Sequence, residues 1–142
     1  MSQYLTYAKE LLEQENYTLV LYDGKTLITS KEKGVKPLLD LCKQGKRFEG
    51  FSSADLIMGK AVAFLYVLVG IKEVFAPVVS EPALEVLRKY HIHIEYGKRV
   101  PFTTNREGLG YCPMEQAVLS IDDPELAYKI IQEKFSNLSK EV

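Results

Sequence analysis

The chain lacks the residues from which metal sites and disulfide frameworks are built. It has no tryptophan and only two cysteines and two histidines among 142 residues. Neither pair has the spacing of a tetrahedral zinc site, so we expect no metal and no cofactor. A domain of this length buries enough surface to fold without a disulfide bond or a structural metal ion. We therefore expect Cys42 and Cys112 to be free thiols.

Strong net charge and long apolar segments are also absent. The formal net charge is −1, which argues against a broad nucleic-acid-binding surface but leaves room for a local anion site. The longest apolar run covers residues 61–69, well short of the ~20 residues that span a bilayer. The first residues show no basic start followed by an apolar stretch, so they do not resemble a signal peptide. We expect a cytoplasmic protein without membrane contact.

Turn residues and apolar periodicity predict one α/β domain over residues 1–142, with a frayed tail after about residue 136. Helices on both faces of a mixed sheet of about five strands would form three layers, α/β/α. Asp23-Gly24 predicts the turn of a hairpin. The predicted order is a helix at 2–15, hairpin strands at 17–22 and 25–30, helices at 35–44 and 53–69, a strand at 73–79, a helix from Ser80 to about Tyr90, a strand at 91–96, an edge strand at 99–103, and helices opening at Cys112 and Asp123.

The helix predicted at 53–69 carries two candidate site residues. Beyond Lys60 it is apolar on all sides, which predicts a central, fully covered helix. Asp55 would fall in its first turn, where a carboxylate acts in catalysis or merely favours the positive helix end. Lys60 either meets a carboxylate or an anionic ligand, or extends its ammonium to water.

Two further candidates lie at the helix predicted to open at Cys112. A thiol at a helix N-terminus is favoured as thiolate, so Cys112 is a candidate nucleophile, or else a small buried turn residue. Glu115 suits a capping box better than a catalytic role.

The polar loop before this helix contains Asn105 and Arg106. Together with nearby glycine amides they suit a phosphate or a carboxylate, although loops also carry such residues for solubility. His91, His93 and Glu95 would share one face of a strand. Two histidines at this spacing can chelate a metal, but a solvated polar face is the more common reason for such a pattern.

Three runs, ADLIMGKAVAFL, APVVSEPALEVL and NREGLGYCPMEQAV, resemble a family of small proteins known as domain of unknown function 1893. The resemblance covers nearly the whole chain, to about residue 135. The family is similar in fold to the cytidine deaminases, which implies a cytidine-deaminase-like fold here. Zinc deaminases carry His/Cys-x-Glu at the start of the buried helix and Pro-Cys-x-x-Cys at the start of the next helix. Ser53-Ala54-Asp55-Leu56 and Ser80-Glu81-Pro82-Ala83 contain neither His nor Cys, so the resemblance implies the pocket without zinc and without deamination.

Helices starting at Ser53 and Ser80 would direct their N-termini to one place at the carboxyl ends of the strands. The first hypothesis is a binding module for a small nucleotide-like or anionic ligand in that pocket. The second is a metal-free enzyme that uses Cys112 with Asp55 or Lys60. The third is a structural or interaction protein, with self-association left open. The ligand-binding candidates are Lys60, Ser80, Glu81, Asn105, Arg106 and Glu115.

Overall fold

The computed structural model describes residues 2–104 and 110–140, with side chains through residue 137. Local signals set several of the helix ends. Ser2 accepts a hydrogen bond from the N–H of Leu5 at 3.1 Å and so caps the first helix, while Gly70 adopts a left-handed φ of 81° that ends the third. The helices are α1 Gln3–Gln14, α2 Lys36–Lys43, α3 Lys60–Val69, α4 Glu81–Lys89, α5 Pro113–Ala117 and α6 Pro124–Lys140, and the strands are β1 Leu19–Tyr22, β2 Leu27–Ser30, β3 Ser52–Asp55, β4 Ile57–Met58, β5 Glu73–Ser80 and β6 His93–Val100.

The strands form one mixed sheet. β1 pairs antiparallel with β2 and β3, whereas β5 pairs parallel with β3, β4 and β6. Since β3 and β6 both pair with Glu73–Phe75, they flank β5 on opposite edges, and β4 continues the line of β3 beyond Leu56. The predicted parallel strand–helix–strand unit is therefore confirmed as β5–α4–β6. The sheet has six strands instead of about five, because β3 and β4 form in the segment predicted as a helix while the strands predicted at 91–96 and 99–103 are one strand.

Helices cover both faces of this sheet. On one face α1 packs on β1, β3 and β5, where its apolar residues meet Val20, Ala54 and Phe75. The opposite face is covered around α3, which contacts α2, α4, α5 and α6. Eight of its ten residues are buried, so the prediction of a central apolar helix is confirmed for residues 60–69.

Our prediction for residues 53–59 is wrong. Ser52–Asp55 forms β3, and α3 begins at Lys60 with Gly59 as its N-cap. Asp55 therefore ends a strand instead of lying in the first turn of a helix. The cause is non-local: β3 fills the place between β1 and β5 and pairs with both, which outweighs a local sequence that favours a helix cap.

Three smaller predictions also need correction. The hairpin turn is centred on Gly24-Lys25 instead of Asp23-Gly24, because the N–H of Asp23 donates to the carbonyl of Thr26 at 3.3 Å. The separate strands predicted at 91–96 and 99–103 are one strand, β6. His91 has a φ of 60° and precedes β6, so it does not share a strand face with His93.

Within the described residues, no helix is both long and apolar enough to cross a membrane. Cys42 and Cys112 are both free. Helix α6 extends to Lys140, and the predicted fraying after residue 136 stays a prediction.

Candidate functional site

The carboxylate of Glu115 joins three segments that are distant in sequence. Its Oε2 accepts the backbone N–H of Lys60 at 2.6 Å and the hydroxyl of Ser80 at 2.5 Å. Its Oε1 accepts the backbone N–H of Thr103 at 2.7 Å and the hydroxyl of the same residue at 3.0 Å. Glu115 is only 1% exposed, and a carboxylate this deep is stable only when such donors replace water. We refer to Lys60, Ser80, Thr103 and Glu115 as the Glu115 cluster.

Two helix N-termini meet at this cluster. Lys60 is the first residue of α3, and Ser80 ends β5 and caps α4 by accepting the N–H of Ala83 at 3.2 Å. Unpaired N–H groups and helix dipoles make such a point favourable for an anion. The predicted convergence of helix N-termini is therefore present, with α3 starting later than expected. The anion bound there is the protein's own Glu115.

Gly59 allows the carboxylate to approach this closely. A Cβ at this position would lie 3.1 Å from Oγ1 of Thr103 and 3.3 Å from Oε2 of Glu115. The capping-box prediction for Glu115 is wrong, since its oxygens bind other segments instead of the start of α5. Residue 115 lies on the inner side of α5, where the carboxylate reaches across to α3 and α4.

The side chain of Lys60 lies at the edge of the cluster. It is 7% exposed, and its ammonium donates to the carbonyl of Leu119 at 2.6 Å and lies 5.7 Å from the ring centre of Phe64. Across residues 2–104 and 110–137, no carboxylate forms an ion pair with this ammonium. A carbonyl dipole does not neutralise a charge, so the ammonium keeps a preference for an anion.

The remaining predicted site residues lie around the cluster or outside it. Glu81 is on the surface, where its carboxylate pairs with Arg99 at 3.0 Å. Cys112 is half-buried at the start of α5, and its N–H donates to the carbonyl of Thr103 at 3.0 Å. In the described part of the chain the Cys112 thiol has no hydrogen-bond partner.

Asn105 and Arg106 lie outside the described residues. The two ends of their loop are described, because Thr104 and Tyr111 form an antiparallel bridge. Thr103, which precedes this bridge, is itself part of the Glu115 cluster. The loop therefore starts and ends beside the cluster.

Asp55 belongs to a second polar group. Its Oδ2 accepts the hydroxyl of Tyr66 at 2.9 Å, and that hydroxyl lies 2.7 Å from Oγ of Ser53. Burial raises the pKa of Asp55 to about 7, against the opposing effect of hydrogen bonds from Tyr66 and the backbone of Ile57. Burial and the neighbouring Asp55 charge raise the pKa of Tyr66 well above its ordinary value. Tyr66 follows Lys60 by six residues, about 9 Å along α3, so Asp55 is not part of the Glu115 cluster.

The residues at the two helix N-termini do not fit the zinc ion of the deaminases. Helices α3 and α4 open with Gly59-Lys60 and Ser80-Glu81, which offer neither His nor Cys. The N–H and O–H groups that point at Glu115 present positive ends to this place, which disfavours a cation. Among the residues that the structure describes, no three His, Cys, Asp or Glu side chains are grouped closely enough to hold a metal ion.

Sequence reasoning missed three polar residues at these two places. The sequence around Thr103 does not predict its role, since an isolated threonine after a strand is common on protein surfaces. The sequence around Tyr66 does suggest a role: Tyr66 is the only residue with a polar group in the apolar run 61–69, and a buried tyrosine hydroxyl needs a hydrogen-bond partner. Ser53 was predicted to start a helix, but it lies in β3 and binds Tyr66 from there.

Comparison with known proteins gives one family. The family model of the domain of unknown function DUF1893 matches residues 7–135. The fold is similar to the crystal structure of a DUF1893 family protein, TM1506 from Thermotoga maritima, with a TM-score of 0.88 and 31% sequence identity, covering 94% of this chain and 91% of that one. No curated protein sequence matches the chain.

Proposed function

Since the chain belongs to the DUF1893 family, a domain of unknown function, we propose a function from its site: the protein binds a small anionic, nucleotide-like ligand beside the Lys60 ammonium. It does so as a binding module without zinc. The observation that carries this proposal is the nearly buried ammonium of Lys60, held by the carbonyl of Leu119 and, within the described residues, without an acidic partner. Holding an ammonium in this way costs free energy, which an anionic ligand would offset.

The ligand lies beside Glu115 and does not replace it. Glu115 already uses the N–H of Lys60 and the hydroxyl of Ser80, so these two groups position α3 and α4 and do not contact the ligand. The ammonium of Lys60 donates to the carbonyl of Leu119 and not to that carboxylate. The loop with Asn105 and Arg106 starts and ends next to the cluster, which supports both residues as further ligand contacts.

The topology supports a cytidine-deaminase-like fold as part of the proposal. A β1–β2 hairpin is followed by β3 and β4, a buried helix, and the parallel unit β5–α4–β6, with α3 and α4 starting at the same end of the sheet. In this view a single domain keeps the place where deaminases hold zinc and fills it with Glu115. We propose a cytoplasmic protein whose partner is a small molecule.

The enzyme hypothesis has less support. It pairs Cys112 with Asp55 or Lys60, yet Asp55 bonds to Tyr66 well along α3, and among the described residues the Cys112 thiol has no hydrogen-bond partner. A structural role would need a defined partner surface, and native mass spectrometry of the full chain tests self-association directly.

Binding is tested by nuclear magnetic resonance titration of the full chain with inorganic phosphate, cytidine 5′-monophosphate and uncharged cytidine. We expect the two anions to shift amides at the start of α3 and around Thr103 and Tyr111, and cytidine alone to shift them far less. Lys60→Met keeps the length of the side chain and removes its charge, so it should weaken anion binding at least tenfold. Lys98→Met, at an exposed lysine of β6, is the matched control and should change affinity less than twofold. Absence of shifts with either anion, or equal effects of the two substitutions, would overturn the proposal.

A further inference from the structure

A second concave surface lies at the opposite end of the sheet from Lys60. It is an open groove of about 460 Å³, within the range of small-ligand sites. Phe51 directly precedes β3, so the groove lies at the amino ends of the parallel strands, whereas the Glu115 cluster lies near their carboxyl ends. We call it the Phe51 groove; its lining includes Thr26, Ile28, Lys46, Arg47, Phe48 and Phe51.

The floor of the Phe51 groove is apolar and held in place. Phe48 donates its N–H to the carbonyl of Val69 at 2.7 Å. The N–H of Phe51 donates to the carbonyl of Phe48 at 3.2 Å, which closes a turn over residues 48–51. Gly50 has a φ of 87°, which this turn needs. The two rings pack edge to face with centroids 5.4 Å apart. A fixed aromatic floor loses little conformational entropy when a flat apolar group binds to it.

The rim of the Phe51 groove is cationic. Lys46 and Arg47 are both exposed and line the groove. Arg47 pairs with Glu49 at 3.1 Å and donates to the carbonyl of Leu68 at 3.3 Å. In the parts of the chain that the structure describes, Lys46 pairs with no carboxylate. The rim therefore has one positive charge more than Glu49 neutralises.

We propose that the Phe51 groove binds a small amphipathic anion: a flat or branched apolar body against Ile28, Phe48 and Phe51, with a carboxylate, sulfonate or phosphate at Lys46 and Arg47. The apolar lining determines the body of the ligand, and the cationic rim determines its charged group. This site is independent of the ligand proposed at Lys60, because the two lie at opposite ends of the sheet.

The experiment compares two fluorescent probes that share an arylamino-naphthalene body. The first, 8-anilinonaphthalene-1-sulfonate, is an anion, and the second, N-phenyl-1-naphthylamine, has no charge. We expect the folded full chain to bind the anionic probe saturably at one site. Lys46→Glu combined with Arg47→Glu should weaken binding of the anionic probe at least tenfold and binding of the uncharged probe less than threefold, because only the anionic probe loses an ionic contact.

A second variant tests the apolar part. Thr26 is an exposed residue of the groove, so Thr26→Tyr should fill the groove without removing a core side chain. This substitution should lower the affinity of the chain for both probes at least fivefold. Lys98→Glu is the matched charge control and should leave both affinities within twofold. The proposal is overturned if the wild-type chain shows no saturable site, if the control weakens the anionic probe as much as the rim variant does, or if Thr26→Tyr leaves both probes unaffected. Lys60→Met should not alter either probe, which separates this site from the one at Lys60.

Discussion

The carboxylates of Glu115 and Asp55 both accept hydrogen bonds from α3, but their surroundings differ. Glu115 is almost fully buried and accepts hydrogen bonds from two backbone N–H groups and two hydroxyls. Asp55 is less buried and accepts the Tyr66 hydroxyl and one backbone N–H, and its pKa rises to about 7. Four donors from three segments let Glu115 hold distant parts of the chain together, whereas burial makes ionisation of the Asp55 carboxyl costly.

The largest expected effect comes from deleting the Glu115 carboxylate, and deletion of the Asp55 carboxylate is the comparison. Glu115→Ala should lower the free energy of unfolding by about 3–5 kcal/mol, because four buried donors lose their acceptor at once. Asp55→Ala at pH 8 should change it by about 1 kcal/mol or less, since the lost hydrogen bond is offset by removal of a poorly solvated charge. Urea denaturation followed by circular dichroism measures both. A larger loss at Asp55 than at Glu115 would break the comparison.

The two serines allow a second comparison. Ser80→Ala removes a hydrogen bond to a carboxylate and also the cap of α4, so we expect a loss of about 2–3 kcal/mol. Ser53→Ala removes one hydrogen bond to the hydroxyl of Tyr66, which keeps Asp55 as a partner, so we expect a loss of about 1 kcal/mol. Equal losses from these two buried serines in the same urea measurement would show that the carboxylate partner adds nothing.

The third comparison is between pH values, and its effect falls to nothing at the acidic end. The pKa of Asp55 is higher in the folded chain than its ordinary value of 3.8, so its contribution to stability is fully present below about pH 4 and is lost as pH rises towards 7. Asp55→Asn should therefore be more stable than the wild type at pH 8, by about 1–2 kcal/mol after allowance for partial exposure. The difference should shrink steadily towards pH 5.

Asp122→Asn, at an exposed aspartate, is the control for this pH series. Its difference from the wild type should stay flat within error from pH 5 to 8. An equally flat difference for Asp55→Asn would contradict the raised pKa of Asp55.

Local patterns predicted those parts of the fold that local interactions determine. The run 61–69 is apolar on all sides, and α3 is the central helix there. Residues 52–55 read as a helix start because Ser and Asp are good caps, whereas their strand state depends on β1 and β5, which lie 18 or more residues away along the chain.

The site was predicted in part for the same reason. Ser80 as a cap follows from three neighbouring residues, and the structure confirms it. The partners of Glu115 are separated from it by 12, 35 and 55 residues, and no pattern in one sequence encodes such distances. Its inward direction on α5 depends on how α5 packs near α3, which only the tertiary structure reveals.

The bond between Glu115 and the N–H of Lys60 closes a loop of 55 residues. Closing so long a loop costs chain entropy before the contact contributes, so we expect the bond to form after the folding transition state has been passed. A late contact slows unfolding without speeding folding. Glu115 then contributes kinetic stability, since it lengthens the lifetime of the native chain, and its removal should appear mainly as a faster unfolding rate.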